Sequence, residues 1–316
     1  MTFASIARRS TKSRKSRNTA DSADSYVGRF APSPTGPLHL GSLICALASY
    51  LDARSHGGRW LMRMEDLDPP REQPGAAEDI LWALRQHGLH WDGDVLWQSR
   101  RQAAYGAVVE HLLANGLAFY CDCSRAQLRA EGGVYQGRCR DRGLGIDADA
   151  AVRLMVDTAA RITIDDLVQA PLTQALATDV GDFVIHRRDG LFAYQLAVVV
   201  DDAFQGVNTV LRGSDLYDST PRQVFLQQLL GLPTPRYAHI PVIENAQGQK
   251  LSKQTHAPAL DPDCATDNLR LALRFLQQPA PPADLQQVEP LLAFAVAHWD
   301  LGAVPRRAGI PESSLY

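Results

Sequence analysis

Two clusters of polar residues, far apart in the chain, have types and spacings suited to handling phosphate. The first is His39 and Ser42, at the end of RFAPSPTGPLHLGS (residues 29–42), where three prolines and two glycines lead into a helical pattern. The N–H groups of a helix start have no intrahelical acceptor and sit at the positive end of the dipole, so anions gather there. Pro32, Pro34 and Pro37 fix φ and stiffen the approach, while Gly36 and Gly41 let a ligand come close to the backbone. Alone, this suits a phosphate or nucleotide, and equally a proline-rich turn that caps a helix. The second cluster is KLSK, Lys250 to Lys253, in a Gly- and Gln-rich loop after the apolar run YAHIPVI. Two lysines around Ser252 suit a leaving pyrophosphate, whose charge grows only in the transition state. Standing alone, they would read as a solvated loop.

Cys121, Cys123 and Cys139 fall within CDCSRAQLRAEGGVYQGRC, dense enough for a metal, with zinc the first choice. Spacing leaves the fourth ligand open. His111 and His186 lie outside the cluster, and the local oxygen donors are Tyr135 and the acids. Arg125, Arg129, Arg138, Arg140 and Arg142, against Glu131 and Asp141, make this stretch locally basic and suited to RNA phosphates.

The elements that must position these groups are legible as patterns. YVGRFA predicts a strand, Leu40, Leu43, Ile44, Leu47 and Leu51 recur at helical spacing, RWLMRME predicts the next strand and AAEDILWALRQHGL the next helix. Such alternation implies parallel βαβ winding in an α/β fold. Residues 119 to about 190 mix short strands with turns and read as an insertion, after which FAYQLAVVVDDAFQGVNTVLRGSDL and TPRQVFLQQLLG restore the α/β pattern. Expected units are a basic, disordered tail over 1–25, a catalytic domain over 26–260 and a helical region over 261–316.

Composition bounds the rest. The 316 residues are 45% hydrophobic and 21% charged, and no apolar run approaches the roughly 18 residues of a membrane span, so a soluble chain with no membrane partner is expected. The basic tail lacks the apolar core of a signal peptide. An odd count of five cysteines argues against a disulfide framework and for the reducing cytoplasm. With a net charge of −3, and a positive tail, the folded part is acidic, so nucleic acid would have to meet a local basic patch.

Taken together, HLGS (39–42) and KLSKQ (250–254) resemble the HIGH and KMSKS signatures of class I aminoacyl-tRNA synthetases, with Ser42, Leu251 and Gln254 as departures. RFAPSPTGPLHLG and RGSDLYDSTPRQ (212–223) are similar to the glutamyl branch. That resemblance implies a Rossmann-like catalytic domain, with ATP and its Mg2+ held by His39, Gly41, Ser42, Lys250 and Lys253. His39 and Lys253 are its central catalytic residues. It also implies a glutamate pocket of Arg29, Phe30, Ala31, Pro32, Ser33, Glu65, Tyr194 and Arg212. Bidentate arginines are the expected partners of a substrate with two carboxylates, and Glu65 suits its ammonium. Arg29, Glu65, Tyr194 and Arg212 each also have an ordinary structural explanation.

The spacing Cys-x-Cys-x11-Tyr-x3-Cys resembles the zinc pattern of one glutamyl paralogue family, which names Tyr135 as the fourth ligand. The same family lacks the large anticodon-binding region that follows the lysine loop in glutamyl-tRNA synthetases. By that resemblance, the chain activates L-glutamate without tRNA and places it on the queuosine base of tRNA(Asp); a monomer is expected. Rival expectations are a truncated glutamyl-tRNA synthetase that charges tRNA(Glu), or a non-catalytic paralogue that binds RNA or an amino acid.

Overall fold

The structure is a computed structural model that describes residues 25–130, 132–145, 149–245, 247–251 and 259–314. The basic tail, Ser252, Lys253 and Gln254 therefore lie outside the described residues. Along the chain, β1 (Val27–Phe30), α1 (Leu40–Ser55), β2 (Arg59–Met64), α2 (Ala76–Gln86), β3 (Leu96–Trp97) and α3 (Gln102–Ala114) alternate. The middle of the chain is strand-rich: β4 (Ala118–Cys121), α4 (Arg125–Ala130), β5 (Ala151–Leu154), β6 (Arg161–Ile164), β7 (Leu172–Ala175), α5 (Leu176–Asp179) and β8 (Phe183–His186). Alternation then resumes with α6 (Tyr194–Gln205), β9 (Thr209–Gly213), α7 (Thr220–Leu229), β10 (Arg236–Ile240) and β11 (Val242–Glu244). Next come α8 (Ala265–Phe275), α9 (Val288–Ala297) and β12 (Gly309–Pro311).

β1, β2 and β3 pair in parallel, with Arg29 opposite Leu61 and Arg63 opposite Leu96. β9 and β10 form a second parallel pair, with Arg212 opposite His239. The two pairs meet at Asn208: its N–H donates to Val27 O at 3.1 Å, and Val27 N–H donates to Asn208 Oδ1 at 2.8 Å. Through this contact β9 lies beside β1, setting the β9-β10 pair next to the three-stranded β1-β2-β3 sheet. Helices cover both faces, which is why strands such as VGRF and TVLRG are buried along nearly their whole length. One core cluster gathers Leu43, Leu47, Leu51, Trp60 and Ile80 with Leu269, Leu273 and Leu291, while the other gathers Tyr105, Val108, Leu196, Val199 and Phe225.

The stretch from β4 to β8 builds an antiparallel sheet, β4-β5-β8, and the separate β6-β7 hairpin. α8 and α9 pack their apolar faces on α1, and Trp299 Nε1 donates to the buried Asp52 carboxylate at 2.9 Å. Sequence pattern did not disclose β12, which pairs in parallel with β11 and so flanks the strand leading into the lysine loop. Among the described residues, no helix is long and apolar enough to cross a membrane.

Candidate active site

A cavity of about 760 Å3 opens at the carboxyl ends of β1, β2 and β9, where open α/β sheets bind ligands. It is lined by Arg29, Phe30, Ala31, Pro32, Ser33, His39, Gly41, Ser42, Glu65, Tyr194, Arg212 and Lys250, so every described residue expected to hold glutamate or ATP is gathered in one place.

The loop after β1 is shaped before any ligand arrives. Glu65 N–H donates to Pro32 O (2.9 Å) and Gln73 N–H to Pro34 O (3.0 Å), stitching the loop to the segment that follows β2. Gly36 has φ +139°, a conformation side-chain-bearing residues rarely adopt. His39 is the N-cap of α1. Its ring lies over the first turn, with Nδ1 3.4 Å from Ser42 N and Nε2 3.0 Å from Ser42 Oγ. A side chain on Gly41 would come within 3.3 Å of that ring and 3.9 Å of Leu251 O, so the two signature segments touch here. Ala259 and Leu260, on the far side of the lysine loop, bridge to His39 and Leu38, bringing the loop back to the same helix start.

The floor of the cavity is a buried charge network. Asp202 Oδ1 accepts from Arg29 Nε at 3.2 Å and Arg63 Nη1 at 2.7 Å, while Arg63 also reaches Glu65 Oε1 at 3.3 Å and Gln205 Oε1 at 2.8 Å. The two guanidinium groups hold the Asp202 carboxyl below its ordinary range despite burial, whereas burial raises that of Glu65 against the pull of Arg63 and Arg29. A raised carboxyl next to a cavity favours a cationic partner there, as an ammonium group would be.

Arg212 is held on the opposite wall. Its Nε donates to His239 Nε2 (3.0 Å), Nη1 to Tyr194 OH (3.1 Å) and Nη2 to Thr220 Oγ1 (2.8 Å). Lys250 Nζ contacts Asp215 Oδ2 at 2.5 Å, which ties the start of the lysine loop to the segment after β9.

The cysteine cluster forms apart from this cavity. The Sγ atoms of Cys121, Cys123 and Cys139 all lie within 4.8 Å of one another, and those of Cys123 and Cys139 are 3.5 Å apart. A tetrahedral ion with bonds of about 2.3 Å keeps its sulfurs roughly 3.8 Å apart, so the cluster fits such an ion. The Tyr135 hydroxyl accepts Cys139 N–H at 2.7 Å, placing an oxygen beside the cysteine cluster. Gly181, at φ +70°, permits the close pass of the Tyr135 backbone; a Cβ there would sit 2.4 Å from Tyr135 O. Arg153 Nε donates to Cys121 Sγ at 3.2 Å, and its guanidinium lies 4.2 Å from the Tyr135 ring centroid. Hydrogen bonds from Tyr135 and Arg153 bring the Cys121 thiol down, toward the ligating thiolate form. The basic patch expected here is smaller than its arginine count. Arg140 is committed to the buried Asp182 (2.5 Å) and Arg142 to Asp122 (2.5 Å), while Arg125 and Arg129 are exposed on α4 and Arg138 is exposed next to Cys139.

Residues 26–274 match the family described as tRNA synthetases class I (E and Q), catalytic domain. The chain belongs to this synthetase family. The glutamyl-Q tRNA(Asp) synthetases of Pseudomonas paraeruginosa and Pseudomonas fluorescens are 56% and 54% identical to it over 293 residues, spanning 92% of this chain and 99% and 97% of theirs. A glutamate tRNA ligase of Elizabethkingia meningosepticum, solved with its amino acid, shares the fold at a TM-score of 0.76 and 23% identity, covering 92% of this chain and 68% of that one.

Within this synthetase fold the sequence patterns missed the supporting layer: Asp202 and Arg63 beneath Arg29, His239 and Asp166 behind Arg212, and Asp215 beside Lys250. One signal was present. Asp201 and Asp202 interrupt the apolar run LAVVV in α6, and acids on a helix facing a core are buried for a reason. Asp201 accepts from Gln98 (2.9 Å), Arg101 (2.7 Å) and Tyr105 (2.6 Å), fixing α3 to α6.

Proposed function

We propose that this chain activates L-glutamate with ATP, without needing tRNA, and transfers it to the queuosine base at the wobble position of tRNA(Asp). The observation that carries the reading is the meeting in one cavity of two buried arginines, Arg29 and Arg212, with the α1 start and Lys250. Two arginines match two carboxylates, and Glu65 matches the ammonium between them.

No side chain has to act as a base in the first step. A glutamate carboxylate oxygen attacks the α-phosphorus of ATP, the bond to the bridging oxygen breaks, and pyrophosphate leaves, so catalysis is positioning plus charge. Arg29, Tyr194 and Arg212 orient glutamate against the backbone of Phe30, Ala31, Pro32 and Ser33. His39, Gly41 and Ser42 receive the phosphates of the Mg2+-bound nucleotide at the α1 start. Lys250 and Lys253 stabilise the departing pyrophosphate. In the second step a hydroxyl of the queuosine cyclopentenediol attacks the carbonyl carbon of the mixed anhydride and AMP leaves. The reaction belongs in the cytoplasm, where its RNA substrate resides, and the chain works as a monomer.

Cys121, Cys123, Tyr135 and Cys139 are proposed to hold one structural zinc ion, which would supply a crosslink between β4 and the 135–139 turn in place of a larger core. The exposed Arg125 and Arg129 of α4 then face solvent from a fixed module, as phosphate contacts require.

Glutamate-dependent exchange of pyrophosphate into ATP in the absence of RNA tests the activation step, and no exchange would overturn it. Transfer of labelled glutamate to queuosine-containing tRNA(Asp) but not to tRNA(Glu) tests the acceptor. The opposite preference would identify a tRNA(Glu)-charging enzyme, and binding without exchange a non-catalytic paralogue.

A further inference from the structure

Behind Arg212 runs a buried chain of polar groups, Asp166, His239 and Thr220, that do not line the cavity. Arg212 Nε donates to His239 Nε2 at 3.0 Å, and the other ring nitrogen, Nδ1, lies 2.6 Å from Asp166 Oδ2; the His239 and Asp166 side chains are both fully buried. A guanidinium nitrogen only donates, so His239 Nε2 must be the bare nitrogen and Nδ1 must carry the proton, given to Asp166. Thr220 completes the arrangement: its hydroxyl accepts from Arg212 Nη2 at 2.8 Å and lies 3.1 Å from the same His239 Nε2. Asp166 is itself fixed, because Oδ1 accepts the backbone N–H groups of Val168 (3.0 Å), Gln169 (2.9 Å) and His239 (3.0 Å).

We infer that the Asp166–His239 pair is a positioning device for substrate selectivity: it fixes the face of the Arg212 guanidinium that meets the substrate carboxylate, and thereby favours glutamate over its amide. This rests on the proposal that Arg212 binds glutamate. The physical reason is the donor inventory. With Nε given to His239, the Nη2 hydrogens to Thr220 Oγ1 and, at 3.5 Å, to Leu216 O, and one Nη1 hydrogen to Tyr194, the guanidinium has a single orientation. Its remaining edge then offers an Nη1 donor and the positive charge, with no acceptor. A carboxylate meets such an edge with an acceptor and an opposite charge, whereas an amide brings a neutral oxygen and an NH2 for which the edge has no acceptor. If His239 is lost, Arg212 can rotate about its long side chain, and the edge no longer discriminates. A neutral imidazole is suited to this task, since an imidazolium would repel the guanidinium and a second carboxylate would neutralise it.

The variants His239→Gln and His239→Phe separate positioning from packing. Glutamine can accept from Arg212 and donate to Asp166, while phenylalanine keeps the ring between Tyr217 and Tyr237 but offers neither bond. Pyrophosphate exchange is measured against glutamate, glutamine and ATP for the full chain and both variants, with thermal unfolding alongside. Expected for His239→Phe are a KM for glutamate raised about tenfold, the loss of one charge-assisted hydrogen bond, an unchanged KM for ATP, and a smaller preference for glutamate over glutamine. His239→Gln should recover most of the preference, and Asp166→Asn should fall between.

Equal preference in wild type and His239→Phe, or an equal rise in both KM values that tracks lost stability, would overturn the positioning role while leaving glutamate activation standing. Wild-type exchange that does not depend on glutamate would overturn both. If His239→Phe fails to fold, His239→Gln and Asp166→Asn decide by the same preference ratio.

Discussion

Asp202 lies 3.2 Å from Arg29, and both side chains are buried although Asp202 belongs to a helix more than a hundred residues further along the chain. The same carboxylate oxygen accepts from Arg63 at 2.7 Å, so one acid holds two cations at the edge of the cavity. This arrangement explains how an arginine at the end of β1 can be both buried and aimed at a ligand. Asp202→Ala leaves two buried guanidinium groups with Glu65, which still pairs with Arg63, as the nearby acid, and about 3–5 kcal/mol of stability should be lost. Asp202→Asn, which keeps the shape, should cost less stability and raise the KM for glutamate more than that for ATP. Denaturant unfolding together with pyrophosphate exchange checks the pair; an unchanged glutamate KM in Asp202→Asn would separate Asp202 from the site.

Lys253 tests the phosphate side. If it stabilises charge that appears only as pyrophosphate leaves, Lys253→Ala should lower kcat for exchange by about 10²–10³-fold with little change in the KM for glutamate. A change confined to KM would instead mark it as a ground-state contact.

Metal content is measurable directly. Protein purified under reducing conditions should carry one zinc ion per chain, Cys139→Ser should lose it, and Tyr135→Phe should retain it about 10–100-fold more weakly. Removing zinc with a chelator should lower the unfolding temperature, because the sulfur cluster has only a small apolar satellite of its own. Metal-free wild-type protein with an undiminished unfolding temperature would refute the site.

Acid should weaken the fold in two stages. The groups facing His239 are Asp166, Arg212 and Thr220, with Tyr217 and Tyr237 on its faces, and burial together with Arg212 outweighs Asp166 to keep the imidazole pKa below its ordinary value. A depressed folded value means the unfolded chain binds the proton first, so this contribution is complete above about pH 6.5 and declines as pH falls through the folded value. Asp166 and Asp202 are also depressed, by His239 and by the two arginines, so their contributions persist to about pH 4 and are lost below it. Unfolding temperature measured from about pH 8 downward should be flat and then fall. In His239→Gln the first decline should be smaller, the remainder coming from His87, whose pKa burial also lowers.

Sequence pattern revealed what repeats and what punctuates. The strands ending at Phe30 and Met64 and the helix beginning at Leu40 were visible because apolar periodicity and proline placement are local properties. Arg29, His39 and Arg212 were visible because each sits beside such punctuation. Asp166, His239 and Asp202 were not, because their meaning lies in contacts with residues dozens to more than a hundred positions away. A histidine inside the strand RYAHI carries no local mark of the arginine it will face. Strand β12 was hidden for the same reason: GIP has no periodicity of its own and becomes a strand only by pairing with β11. The arginine-rich stretch misled in the opposite direction, since charge counted along a chain does not show which cations are already spent on Asp182 and Asp122.

The position of Asp166 bears on how such proteins can be recombined. It belongs to the stretch between β6 and β7, a hairpin that looks exchangeable, yet its carboxylate closes on β10, Leu167 N–H donates to Tyr237 O, and Gln169 Nε2 donates to His239 O at 2.7 Å. A chimaera that replaces this hairpin with a foreign one would keep Arg29, His39, Glu65 and Arg212 and still set Arg212 adrift. The hairpin and the strand it touches have to be inherited as a single unit.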